Sequence, residues 1–241
     1  RAVRQHRHEW CDAIEIWAVD ASSCKLKRLT SLPRYSHDHC IEWHGGLLYV
    51  AGGHDDIFGE YFNSLHAFNE ATGSWEELPP MPHACRGATS CVIGNQLLAG
   101  GHNSTLSDRL QIYDIDAKTW RLGAPLPEGW SGTDYYGRTG PKLCSGGLAF
   151  DGNFFVIAKF GSPLVYDALS NTWTVESDPW TDFSEWMKHA CVHNGRLVVF
   201  TERGGYTCSY ERATDGSWSS SSLFAYEYDR YAKVSESVLL G

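Results

Sequence analysis

Short apolar runs alternate with turn-forming residues along the whole chain. "CIEWHGGLLYVAGG" (40–53), "TSCVIGNQLLAGG" (89–101), "GGLAFDGNFFVIA" (146–158) and "ACVHNGRLVVF" (190–200) each hold two apolar runs around a Gly-containing centre. Runs of this length, broken by "HGG", "GN", "DGN" and "NG", predict tight β-hairpins. A second hairpin follows each of the four: an aromatic, an acid or amide, a small polar turn, then Trp. It reads "AFNEATGSW", "IYDIDAKTW", "VYDALSNTW" and "SYERATDGSW", ending at Trp75, Trp120, Trp173 and Trp218. A side chain such as Asp or Asn ahead of the turn can bond the turn's own backbone.

The tryptophans are spaced 45, 53 and 45 residues apart, and Pro82 and Pro127 follow Trp75 and Trp120 by seven residues. A fainter copy near the start, "AVDASSCKL", has Leu26 in the Trp place and Pro33 seven residues on. Two hairpins per unit give four strands per unit of about fifty residues, a period that predicts propeller blades. The glycine pairs Gly52–Gly53 and Gly100–Gly101 end the second strand of the first two units, where a backbone need is expected.

The glycine pair, the Tyr-Asp position and the Trp six residues later resemble the kelch repeat. The resemblance implies an all-β kelch propeller, with repeats at 37–82, 83–127, 140–180 and 187–220 in a single domain over 1–241. Departures are visible: the third unit has "AKFG" in place of the pair, and the fourth has "TERGG" with its glycines displaced. Segment 10–33 supplies two outer strands and segment 223–241 two inner ones. A blade shared by both ends leaves no free sheet edge. The count is then five four-stranded blades. The alternative is a further N-terminal blade, since kelch propellers more often have six or seven.

Composition narrows the function. The chain of 241 residues is 42% apolar and 20% charged, ordinary for a globular domain, and its net charge of −9 argues against nucleic acid. No apolar run is long enough to span a membrane. The eight cysteines form no C-x-x-C pair, so no zinc ribbon or finger is expected, and reduced thiols in cytoplasm or nucleus are the expectation. Cys91 and Cys191 share a strand position that suits a small packed residue.

Candidate site residues lie in loops and at strand starts. Trp130, Tyr135 and Tyr136 belong to the aromatic loop 126–144, and Trp186 to the loop 177–189. His54 follows the first glycine pair and His102 the second. Aromatic and Arg side chains on polar loops are the residue types that dominate binding surfaces. Arg86 opens an inner strand, with Arg34 one blade earlier; the resemblance implies that an Arg at this place reads acidic groups, which suits its two-pronged guanidinium. His54 and His102 alone do not make a metal site, which needs three or four converging ligands. In "HDHC" (37–40) successive strand residues point to opposite faces, so they do not converge without a bulge. No metal or cofactor is expected, and no catalytic set is legible.

The expected function is therefore protein–protein interaction on one loop-rich face. The resemblance extends to F-box/kelch proteins, which implies the substrate-recognition domain of a ubiquitin-ligase adaptor, with the F-box and the contact to the ligase scaffold upstream of these residues. An enzymatic or small-molecule-binding propeller and a structural scaffold are the alternatives.

Overall fold

The computed structural model describes residues 14–20, 23, 25–34, 36–55, 58–102, 108–130, 132–133, 139–140, 146–157, 162–177, 186–203 and 206–225. All its regular structure is β. The chain opens with β1 (Glu15–Asp20) and β2 (Lys25–Ser31), an antiparallel pair. The first four-stranded sheet is β3 (Cys40–His44), β4 (Leu47–Ala51), β7 (Leu65–Asn69) and β8 (Ser74–Leu78). Between β4 and β7 the chain makes a ribbon of β5 (His54–Asp55) and β6 (Glu60–Tyr61). The second sheet is β9 (Arg86–Ile93), β10 (Gln96–His102), β11 (Arg109–Asp114) and β12 (Thr119–Pro125). A short ribbon, β13 (Gly132–Thr133) with β14 (Thr139–Gly140), precedes the third sheet. That sheet is β15 (Gly147–Phe150), β16 (Asn153–Val156), β17 (Leu164–Asp167) and β18 (Thr172–Val175). The fourth is β19 (Trp186–His193), β20 (Arg196–Arg203), β21 (Tyr206–Arg212) and β22 (Trp218–Ala225).

Each sheet is an antiparallel meander in chain order, and the first strands of successive sheets pack on one another: β3 on β9, β9 on β15, β15 on β19. This is the layout of propeller blades. One apolar cluster fills each seam. Leu48, Val50 and Phe68 meet Ile16 and Leu29 of the opening pair and Ile14 just before it; Tyr49, Leu65 and Ala67 meet Leu97 and Tyr113. Leu98, Leu110 and Ile112 meet Phe154 and Tyr166; Phe150 and Phe155 meet Leu197 and Val199.

The repeated residues have visible jobs. In three outer hairpins the acid or amide caps its turn: Asn69 Oδ1 accepts from Ala71 N–H at 2.9 Å, Asp114 Oδ1 from Ala117 N–H at 2.9 Å and Asp167 Oδ1 from Leu169 N–H at 2.8 Å. The Trp lies opposite the hairpin aromatic, in the pairs Phe68–Trp75, Tyr113–Trp120 and Tyr166–Trp173, with ring centres 5.2, 5.0 and 4.8 Å apart. Its indole N–H reaches back to the preceding unit: Trp75 donates to Ser31 O at 3.0 Å, Trp120 to Pro79 O at 2.7 Å and Trp173 to Ala124 O at 3.1 Å. The Trp is thus both a packing residue and a bolt between units. Because Trp75 bolts onto β2, the β1–β2 pair stands where the outer half of a preceding blade would stand.

Of the segment 223–241 assigned from sequence to the inner half of that blade, residues 223–225 instead complete β22, which pairs with β21. The turn at "TDGS" leads into β22, which at 8 residues is longer than β8, β12 or β18. Residues 226–241 lie outside the described residues. Among the described residues no helix is long and apolar enough to cross a membrane.

Candidate functional site

The first glycine pair builds the site. Gly52 and Gly53 take φ of +69° and +102°, which glycine adopts cheaply. A Cβ on Gly52 would lie 2.8 Å from Cys85 O, and one on Gly53 3.1 Å from His37 O. The incoming chain of the second sheet and the connector into β3 both run against this corner. The second pair answers a different need: Gly101 stays within β10 without a positive φ, but a Cβ there would stand 2.7 Å from Arg86 O, closer than at either glycine of the first pair.

Past the corner the chain leaves the sheet as the β5–β6 ribbon, which places His54 opposite Tyr61 and Asp55 opposite Glu60. On its other side His54 makes an antiparallel bridge to His37: His37 N–H donates to His54 O at 3.1 Å, and His54 N–H to His37 O at 3.0 Å. The three rings follow one another, His37 edge-on to His54 at 4.7 Å and His54 tilted against Tyr61 at 5.3 Å. His54 is only 4% exposed.

Arg86 enters from the start of β9. Its Nη1 lies 3.2 Å from His54 Nε2, and its guanidinium sits 5.3 Å from the centre of the Tyr61 ring. A guanidinium only donates, so His54 Nε2 accepts, and the proton of the neutral imidazole then sits on Nδ1. Arg34, in the connector between β2 and β3, reaches the same ribbon at Glu60. Its Nη2 donates to Glu60 Oε2 at 3.1 Å and its guanidinium lies 3.6 Å over the Phe62 ring. The Arg34 side chain remains 55% exposed, and Phe58 at the ribbon tip is 76% exposed. Burial lowers the pKa of neighbouring His39 below the ordinary histidine value, with Asp38 opposing.

The structure therefore brings together Arg34, His54 and Arg86. His102 pairs with Arg86 along β10–β9; its side chain lies outside the described residues. Trp186 opens β19 opposite Glu202, and its side chain is likewise outside them, as are Tyr135 and Tyr136 entirely. Trp130 is a correction. It is not offered on the loop but is 8% exposed, packed in the cluster between the second and third sheets, with its indole N–H donating to Ser162 O at 3.1 Å. A large aromatic beside a seam gains more from burial there than from display on a loop.

Sequence reasoning passed over His37, Glu60 and Phe62. Strand alternation along "HDHC" would keep His37 and its neighbours on opposite faces. The backbone breaks that alternation: Asp38 takes φ of +55°. The signal that could have found Glu60 and Phe62 is the run "GEYF" after the ribbon's own glycine, Gly59 at φ +68°.

Five of the eight cysteines are described, Cys40, Cys85, Cys91, Cys191 and Cys208, and none of these five is in a disulfide. Burial pushes the thiols of Cys40 and Cys91 well above the ordinary range, which keeps them protonated and unreactive.

The kelch motif matches residues 37–82 and 84–127, which are the first and second sheets. Mouse Kelch-like protein 36 is 24% identical over 188 residues, covering 75% of this chain and 30% of that protein. Zebrafish Kelch-like protein 41b is 24% identical over 181 residues, 73% of this chain and 28% of that protein. Human Kelch domain-containing protein 10 is 33% identical over 110 residues, 40% of this chain and 24% of that protein. The chain thus spans less than a third of the length of these relatives. It carries kelch repeats and is distantly similar to Kelch-like protein 36 and Kelch domain-containing protein 10.

Proposed function

We propose that this chain is a protein-interaction module that takes an acidic segment of its partner at the β5–β6 ribbon, and that it does so without catalysing a reaction. One observation carries the reading: Arg34, from the connector between β2 and β3, and Arg86, from the start of β9, both converge on that ribbon, the first laid over the Phe62 ring and the second beside the Tyr61 ring. Glu60 already sits on Arg34 as a carboxylate would. A partner carboxylate exchanging with Glu60 gains a guanidinium backed by a ring, with Phe58 beside it for apolar contact. The similarity to kelch proteins supports the same class of role.

The narrower form of the proposal is the substrate-recognition part of a ubiquitin-ligase adaptor. It rests on the family resemblance and requires a ligase-binding region elsewhere in a longer protein. Affinity purification of the full-length protein tests it. Absence of ligase subunits removes the adaptor role and leaves the interaction module standing.

The module itself is tested with a partner peptide selected from an acidic library. Arg34→Ala and Arg86→Ala should each weaken binding by roughly thirtyfold, about 2 kcal/mol, with folding retained. Selection of peptides without acidic residues, or affinities indifferent to both substitutions, would overturn the reading.

A further inference from the structure

We propose that His37, Asp38 and His54 form a site for one divalent first-row transition ion, of the zinc or cobalt type, and that Arg86 gates it. One ligand atom from each of the three residues lies within 4.8 Å of the others. The backbone explains why. His37 and His54 face each other across a doubly hydrogen-bonded antiparallel bridge, which holds two side chains abreast on one side of the ribbon. In a regular strand Asp38 would point away. Its left-handed φ of +55° turns the chain instead, and its Oδ2 comes within 3.8 Å of His37 Nδ1. The turn thus supplies the convergence that strand alternation forbids.

Two imidazoles and a carboxylate are a donor set that borderline divalent ions accept, with an open fourth position. Metal–ligand bonds of about 2.0–2.2 Å place tetrahedral donors roughly 3.3 Å apart, so rotamer adjustments of about an ångström close the set. The Asp38 carboxyl, half exposed, is free to make that move.

Arg86 sets the terms. Its guanidinium holds His54 Nε2 as an acceptor at 3.2 Å. An ion on that nitrogen displaces Arg86. An ion on Nδ1 moves the ring proton to Nε2, where it meets the guanidinium's own N–H. Either way, metal entry breaks the Arg86–His54 bond, and the permanent positive charge opposes the ion. Arg86 therefore weakens the site, and an ion in place turns Arg86 outward.

The test is a cobalt(II) titration of the whole 241-residue chain after chelator treatment, followed by visible absorption and by the bound-metal ratio. One ion per chain is expected, with the bands of a tetrahedral nitrogen and oxygen site. Asp38→Asn, which keeps a residue tolerant of the left-handed conformation, and His37→Gln should each weaken uptake by roughly tenfold or more. Arg86→Gln should tighten it by roughly tenfold or more. If His37→Gln fails to fold, Asp38→Asn decides, since Asp38 is a surface residue. No uptake by either the wild-type chain or Arg86→Gln overturns the proposal, as does uptake that Asp38→Asn leaves unchanged. The acidic-partner reading fails separately: Arg86→Gln should weaken an acidic peptide and tighten cobalt, so the two outcomes move in opposite directions.

Discussion

Two seams of the same kind, one between the first and second sheets and one between the third and fourth, each enclose a carboxyl group, and they treat it in opposite ways. In the first, Glu42 on β3 meets the hydroxyl of Ser90 on β9, which donates to it at 2.6 Å. In the second, Glu176 just past β18 is gripped by Arg212 of β21. Arg212 Nε donates to Glu176 Oε2 at 2.9 Å and its Nη2 to Glu176 Oε1, while the guanidinium lies 4.7 Å from the centre of the Phe155 ring. The same architecture thus has one seam closed by a full counter-charge and one closed by a neutral donor. Burial raises the pKa of Glu42 above the ordinary carboxyl range, and the bond from Ser90 opposes the rise without cancelling it. The lesson is that the repeat prescribes apolar filling and bolts, and leaves the polar member of each seam to be solved locally.

The largest effect is expected where the counter-charge is removed. Arg212→Ala strands the Glu176 carboxylate, whose side chain is only 16% exposed. Losing one partner of a buried pair costs about 3–5 kcal/mol, read from urea denaturation. Replacing both, Arg212→Met with Glu176→Leu, should recover most of that loss, because the cost lies in the stranded charge. A double variant as unstable as Arg212→Ala would show that the pair matters through the shape of the seam.

Next in size is the bolt between the first two sheets. Trp120→Ala removes the ring packed on Tyr113 and the bond to Pro79 O, and should cost about 3 kcal/mol. Trp120→Phe keeps a ring and loses the bond, so it should cost about 1 kcal/mol. Equal losses would make the hydrogen bond the whole of the Trp's contribution and the ring contact incidental.

These residues differ in how far the sequence discloses them. Trp120 was readable because its spacing recurs at Trp75 and Trp173, and Asp114 because it stands six residues before the Trp at the turn. Such features are local, and their hydrogen bonds close within one hairpin or reach the same place in the preceding unit. The polar seam members were not readable. Glu42 and Ser90 are 48 residues apart, the same offset as the two glycine pairs, but one is an acid and the other a hydroxyl, so the repeat does not mark them as partners. Trp130 misled because loop composition says nothing of the Ser162 carbonyl that receives its indole N–H. Of the residues around the β5–β6 ribbon, Arg34, His54 and Arg86 stand out as candidates in the sequence, while the approach of His37 and Asp38 to His54 depends on one left-handed residue that no alternation pattern signals.

The smallest effect is the most discriminating, because its sign is opposite to that of the Arg212 substitution. Glu42 has a folded-state pKa above its unfolded value near 4.3. Between those two values the folded chain binds more proton than the unfolded one, so stability falls as pH rises. The contribution is fully present below the unfolded pKa and is lost as pH climbs through the folded one. Glu42→Gln keeps the size of the side chain and an acceptor oxygen for Ser90, and it carries no charge at any pH. Its melting temperature should match the wild-type value near pH 4 and exceed it modestly at pH 7, so the difference between the two melting curves grows with pH. Glu176→Gln, in the paired seam, should instead lower the melting temperature at pH 7, because there the charge is what Arg212 holds. If Glu42→Gln destabilises the protein at pH 7 as Glu176→Gln does, then Glu42 has a positive partner in the seam, and the contrast between the two seams disappears.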